Sequence, residues 1–158
     1  MFDGKSIHYQ QATIQNDGFW PDINAGDFER TRTIPPTIDH SVVINALLTS
    51  VAEINMTLVN ARQRYIEQGF SRAQDVTGVV AVMDEDNTTR RNHLTALYTK
   101  AVYARAKADL LPEFAVIGRR DTHPAQEAPE VRRGLLAESA MALRAILQLP
   151  RCSISLID

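Results

Sequence analysis

The chain holds a single cysteine, Cys152, so no disulfide can form within it and nothing calls for an oxidising compartment. Glycine is scarce, at 7 of 158 residues, and nowhere falls into GxGxxG or a Walker loop. Phosphate cradling by a glycine loop is therefore unsupported. Aromatic residues make up only 6% and are not interleaved with basic ones, so the stacking platform of a single-strand binder is missing. Positive charge is not in excess either. The 17 Lys and Arg face 19 Asp and Glu, for a formal charge of −2, which is not the balance of a duplex-binding protein. No apolar run approaches the ~18 residues of a membrane span. Met1 to Gln15 lacks the basic-then-apolar order of a secretory signal. The expectation is a protein that stays in the cytoplasm of its cell unless it leaves as part of something larger. Its length suits one domain that buries roughly 70% of its unfolded surface.

The chemistry-bearing residues are equally sparse. His8, His40, His93 and His123 show no i, i+4 pair, no HExxH and no Cys/His pairing, so no zinc site is expected. Asp84, Glu85 and Asp86 lack the spacing, turn glycine and terminal Glu of a calcium loop. They read instead as charges at the positive end of the following helix, with Asn87 or Thr88 as its cap. Glu127 and Glu130 lie on a solvated helix start. Cys152 sits in an alternating apolar stretch and reads as a small buried hydrophobe rather than a nucleophile. No enzyme and no cofactor are expected. The Arg62/Arg64, Arg90/Arg91, Arg119/Arg120 and Arg132/Arg133 pairs read as solvated faces or intersubunit ion pairs. The alternative is contact with phosphate, as in a small helical nucleic-acid-binding or regulatory dimer.

What is present is helical period. Between Asp39 and Gln68, Leu47, Val51, Ile54, Leu58, Ala61 and Tyr65 recur at spacings of four and three, the seam of one long helix. Asp39 is its N-cap and Gly69 its stop. A second row (Val43, Ala46, Leu48, Met56, Val59, Ile66) widens the apolar face beyond what one neighbour covers. A second helix is expected from Thr89 to Leu111, ended by Pro112, with Ala101, Ala104 and Ala108 allowing close approach. A third runs from between Gln126 and Glu130 to Gln148, with Leu135, Ser139, Ala142 and Ile146 on one row and Leu136, Ala140, Leu143 and Leu147 on the next. Asp22 to Arg30 suits a short helix capped by Asn24 with Phe28 inward, and Thr33 to Thr37 an extended connector.

Three stretches fall outside that pattern. Residues 1–18 are polar and read as a flexible arm, ordered only by a partner. Gly69 to Asp86 reads as a long loop whose valine-rich run has no obvious partner strand in the chain. Residues 151–158 alternate as a strand, with Cys152, Ile154 and Leu156 on one side and Ile157 on the other. A lone strand must pair, with the 76–83 run or with another molecule. Phe19 and Trp20, fixed by Pro21, either tuck against the bundle end or anchor a second protein. The fold class is thus mainly α: an antiparallel bundle of three long helices with a short N-terminal helix, a long loop and a C-terminal strand that pairs with a neighbour. Its parts are an arm at 1–18, a helical domain at 19–150 and a tail at 151–158.

Gly18-Phe19-Trp20-Pro21-Asp22 followed by Asp27-Phe28-Glu29-Arg30 resembles the opening of the tailed-phage head completion proteins known as gpL. Ile54-Asn55 within the long helix, the Gln68-Gly69-Phe70 turn and Asp75-Val76 fit the same family. So do Leu97-Tyr98-Thr99-Lys100-Ala101-Val102-Tyr103 and Ala106-Lys107-Ala108-Asp109-Leu110-Leu111, and the helix, break and alternating strand from Ile146 to Ile157. The resemblance spans Gly18 to Asp158; Pro35-Pro36 and Val79 to Val82 depart from it. It implies a structural virion protein at the neck, made in the bacterial host cytoplasm. Such a head–tail connector subunit forms a homo-oligomeric ring, commonly dodecameric, under the portal protein. It retains packaged DNA, which passes the channel without sequence-specific binding, and offers a surface to a tail-side neck or tail terminator protein. No membrane is involved. On that reading Cys152, Ile154, Leu156, Ile157, Phe19 and Trp20 are candidates for portal or subunit contact. Val76, Val79, Val82, Met83 and Asp84 belong to a loop facing the channel or an adjacent ring.

Overall fold

The computed structural model describes residues 8–83, 90–118 and 128–148. The tail at 151–158 and Asp84 to Thr88 lie outside them, as do His123, Arg119 and Arg120. The chain is mainly helical, with two small two-stranded sheets. In order come β1 (Thr13–Ile14), β2 (Ile23–Asn24), α1 (Ala25–Thr31), α2 (His40–Thr57), α3 (Val59–Glu67), a 3-10 turn (Ala73–Asp75), β3 (Ala81–Met83), β4 (Arg90–Asn92), α4 (His93–Gly118) and α5 (Ala128–Ile146).

The polar N-terminal stretch is not an unordered arm over residues 8–18. β1 pairs antiparallel with β2, Ile14 is buried, and the Ala25 N–H donates to the Ala12 carbonyl. At Gly26 the chain passes so close that a Cβ would sit 2.2 Å from the Gln10 carbonyl oxygen, so only glycine fits. Asn24 caps α1 as expected, accepting from the Asp27 N–H at 2.8 Å, and Phe28 is fully buried. The connector after α1 is turned rather than extended, closed by Ile38 N–H on the Pro35 carbonyl, with Ile34 and Ile38 buried.

The expected single rod from Asp39 to Gln68 is two helices bent by 62° at Leu58. Leu58 leaves helical geometry (φ −96°, ψ 9°) yet is fully buried and keeps its N–H on the Ile54 carbonyl. Thr57 Oγ1 donates to the Glu53 carbonyl at 3.2 Å, a back-bond that competes within the ladder and bends helices. The ends match the sequence. Asp39 accepts from Ser41 N–H and hydroxyl at 2.8 and 2.6 Å, which holds its carboxyl below the ordinary range. Gly69 adopts φ +100° at the stop. The seam holds too: Leu47, Val51, Ile54, Leu58 and Ala61 are buried and Tyr65 packs on the core. The second row splits. Val43 is buried, whereas Leu48, Met56, Val59 and Ile66 are exposed.

The valine-rich run has a partner within the chain after all. β3 pairs antiparallel with β4 in the register Ala81↔Asn92, Val82↔Arg91, Met83↔Arg90. The following helix therefore begins at His93 rather than Thr89, and its cap is Asn92. Thr95 N–H donates to Asn92 Oδ1 at 2.9 Å, while Asn92 N–H donates to Thr95 Oγ1 at 3.1 Å. The Asn92 amide also donates to the Ala73 carbonyl at 2.7 Å, tying the 3-10 turn to the helix start.

Pro112 does not end α4; it lies inside a helix that continues to Gly118. Proline has no N–H for the carbonyl four residues back, which is Ala108. That carbonyl accepts instead from Arg132 Nη1 of α5 at 3.3 Å. One helix thus repairs the gap in another. Close packing is visible where Ser139 Oγ donates to the Ala101 carbonyl at 2.9 Å, with Ala101, Ala104 and Ala108 fully buried. On α5, Ser139, Ala142 and Ile146 face inward as expected and Leu136 is exposed.

Candidate functional site

The motif Gly18 to Asp22 is a clasp inside the molecule. Asp17 Oδ1 accepts from the N–H groups of Phe19 and Trp20 at 2.9 and 3.0 Å, and Asp22 Oδ1 from that of Asn16 at 2.8 Å. Those bonds fold the strand connection so that both rings turn inward. Trp20 stacks on Tyr98 at 4.9 Å and 5°, Phe19 meets Trp20 edge-on at 4.8 Å, and Tyr65 of α3 stacks on Phe19 at 6.2 Å. Phe19 and Trp20 are each 2% exposed, so the anchor they offer is to this chain's own core and not to a portal or neighbour. Below them Tyr98 Oη donates to Asn55 Oδ1 (2.6 Å), Asn55 Nδ2 to Asn16 Oδ1 (2.8 Å) and Asn16 Nδ2 to Tyr98 Oη (2.8 Å). The circuit joins the N-terminal segment, α2 and α4. Burial raises the Tyr98 phenol well above its ordinary range.

Arg62 lies 3.2 Å from Asp17 Oδ2, an ion pair that holds α3 to the clasp without hydrogen-bond alignment. Glu53 of α2 pairs with Arg105 of α4. Arg32 grips Glu138 of α5 in a fork, Nη2 to Oε1 at 2.7 Å and Nη1 to Oε2 at 3.1 Å, and this hydrogen bonding holds the Glu138 carboxyl below its usual range. Lys107 Nζ donates to the Arg32 carbonyl at 2.7 Å, and burial lowers its pKa. Tyr103 donates to Asp27 Oδ2 at 2.6 Å; burial, then that bond, raises its phenol pKa. Arg62 and Arg132 are thus engaged within the chain rather than between subunits, and neither is presented as a free phosphate contact. None of these contacts places a nucleophile beside a base. Among the described residues no group of three His, Cys, Asp or Glu could hold a metal ion. His40 and His93 open α2 and α4. No single helix among them is long and apolar enough to cross a membrane.

The surface carries two kinds of feature. One is apolar. Met56 is 75% exposed and Leu48, Val59 and Ile66 accompany it on α2 and α3; Val80 and Val82 stand out from the hairpin. Val76, expected in a channel-facing loop, is buried, and Val79 packs on the core. The other is a groove. A cleft of ≈ 500 Å³ over the clasp and a second of ≈ 560 Å³ along α4 share Pro21, Asp22, Gln74 and Thr95 in their walls. Sequence reasoning missed the groove, the Asn16–Asn55–Tyr98 circuit and the Asn92 cap. Only the cap had a local signal, the Asn-x-x-Thr spacing at a helix start.

This chain belongs to the phage head completion protein (GPL) family, whose model matches residues 14–157. It is 33% identical over 157 residues to a probable head completion/stabilization protein of Haemophilus phage HP1 (strain HP1c1), covering 99% of this chain and 100% of that one. No solved structure matches it. It is a structural phage head completion protein and a virion component.

Proposed function

We propose that the chain is a connector subunit of the neck. It docks under the portal ring as a homo-oligomeric, dodecameric ring, retains packaged DNA and provides the attachment surface for a tail-side protein. The observation that carries this reading is the outward apolar set on the bent α2–α3 arm. Among the described residues no element covers Met56, Val59 and Ile66, and they suit burial between subunits. Near-neutral charge suits a channel through which DNA must slide. The alternating 151–158 tail, with Cys152, Ile154, Leu156 and Ile157, is assigned to strand pairing with the portal or a neighbour, and the exposed Val82 end of the hairpin to the channel or an adjacent ring.

The test is mass and symmetry by native mass spectrometry and electron microscopy, for the protein alone and mixed with portal complexes. A ring, or binding to portals, supports the connector; a stable dimer indifferent to portals discards it. Removing residues 151–158 is expected to abolish loading onto portals while leaving the helical circular dichroism unchanged. A truncated protein that still loads removes the tail from the interface.

A further inference from the structure

Three cations in the walls of the groove make no ion pair among the described residues. Arg72 stands at the clasp end; Arg91 and Lys100 stand along α4, and all three are exposed. Two of the three acids in the same walls are paired with arginines, and only Asp22 keeps an unpaired charge. Asp17 pairs with Arg62, Asp27 with Arg30 and Tyr103, and Asp22 takes the Asn16 N–H. Arg32 in the wall is neutralised by Glu138. Among the described residues neither Arg72 nor Arg91 makes an ion pair, and Lys100 only adds to the field at a carboxylate that Arg32 already holds.

Shape decides between anions. Clefts of ≈ 500 and ≈ 560 Å³ admit one extended peptide, not a duplex about 20 Å across. Trp20, covered by Phe19 and Tyr98, has no free face for a base. The chain itself contains a complementary ligand. Asp84-Glu85-Asp86 is an uninterrupted run of carboxylates, and Val80 and Val82, 82% and 58% exposed, stand just before it in sequence. Acid and apolar side chains adjacent in sequence match cations plus Pro21 and Ala96 in the groove. A contact between different patches of identical subunits is the kind that closes rings.

We propose that the groove receives the Asp84–Asp86 segment of a second copy of the chain, so that each subunit grips the next. This rests on the ring reading above. The test is binding of a fluorescent peptide of residues 78–89 to the full chain, followed by anisotropy. Arg72→Gln with Arg91→Gln is expected to weaken binding by about tenfold or more, as is Asp84→Asn with Asp86→Asn in the peptide, and salt should weaken it further. Both arginines are exposed, so the variants should fold. No binding at about 1 mM peptide, or binding indifferent to the arginines, overturns the proposal. So does displacement of the peptide by short duplex DNA, which would mark a phosphate track. The arginine variant is also loaded onto portals. A normal ring from that variant sinks this contact and leaves the connector standing, whereas a wild-type protein that ignores portals sinks the connector.

Discussion

Tyr98 joins an aromatic stack to a part-buried polar circuit. Its ring stacks on Trp20 and its hydroxyl closes a circuit with two asparagines. Tyr98→Phe keeps the stack and leaves Asn55 Oδ1 without its donor, at an expected cost of about 1–3 kcal/mol. Trp20→Ala removes the stacked ring from a site 2% exposed and is expected to cost roughly 3–5 kcal/mol. Urea melts of the two variants check the order. Glu138 supplies a pH test. Its carboxyl is depressed below the ordinary 4.5 by Arg32, so its contribution is complete above that value and is lost as pH falls through the folded pKa. The melting difference between wild type and Glu138→Gln should be positive at about pH 6 and shrink as the pH is taken below about 4.5. Phe28 inward, the Asn24 and Asp39 caps and the Gly69 stop were legible residue by residue, because each depends on neighbours within a turn. The Asn16–Asn55–Tyr98 circuit was not, because its members are far apart in sequence and nothing local marks them.

Among the elements, α4 and α5 show how far a proline rule reaches. Pro112 ends a helix when nothing replaces its missing N–H, but here Arg132 serves the orphaned Ala108 carbonyl. Arg132→Ala is expected to cost about 1 kcal/mol in the wild type and less in a Pro112→Ala background, where the alanine N–H returns. A double-mutant cycle by thermal melts reads the coupling, and equal costs in both backgrounds would dissolve it. The bend at Leu58 escaped the sequence for the opposite reason. No glycine or proline stands there, and the apolar seam runs unbroken through it, so period alone describes one rod. The hairpin was half legible. Its first strand had the β preference, but Arg90-Arg91-Asn92 has none of the residues that mark strands.

For the whole molecule, the bend matters more than the helices it joins. It carries Val59 and Ile66 out of line with α2 and leaves Met56 at the elbow, 75% exposed. Met56→Glu with Val59→Glu should leave the melting of the isolated chain within about 0.5 kcal/mol. The same pair should reduce portal-bound assembly, read by electron microscopy; unchanged assembly would place the subunit interface elsewhere. Mainly helical architecture and membership of a phage assembly family were both readable from the sequence. The groove was not, since it exists only where the N-terminal clasp, the 3-10 turn and α4 meet.

The hydrogen-bonded circuit also sets an order of events during synthesis. Asn16 leaves the ribosome first, yet its partners on α2 and α4 emerge only after residues 55 and 98 have been made. Until then Phe19 and Trp20 lack the Tyr98 side of their cover, and the growing chain carries both rings partly open. A stretch made before its partners is therefore among the last to settle, and a nascent chain halted before Tyr98 exposes rings that the finished chain covers.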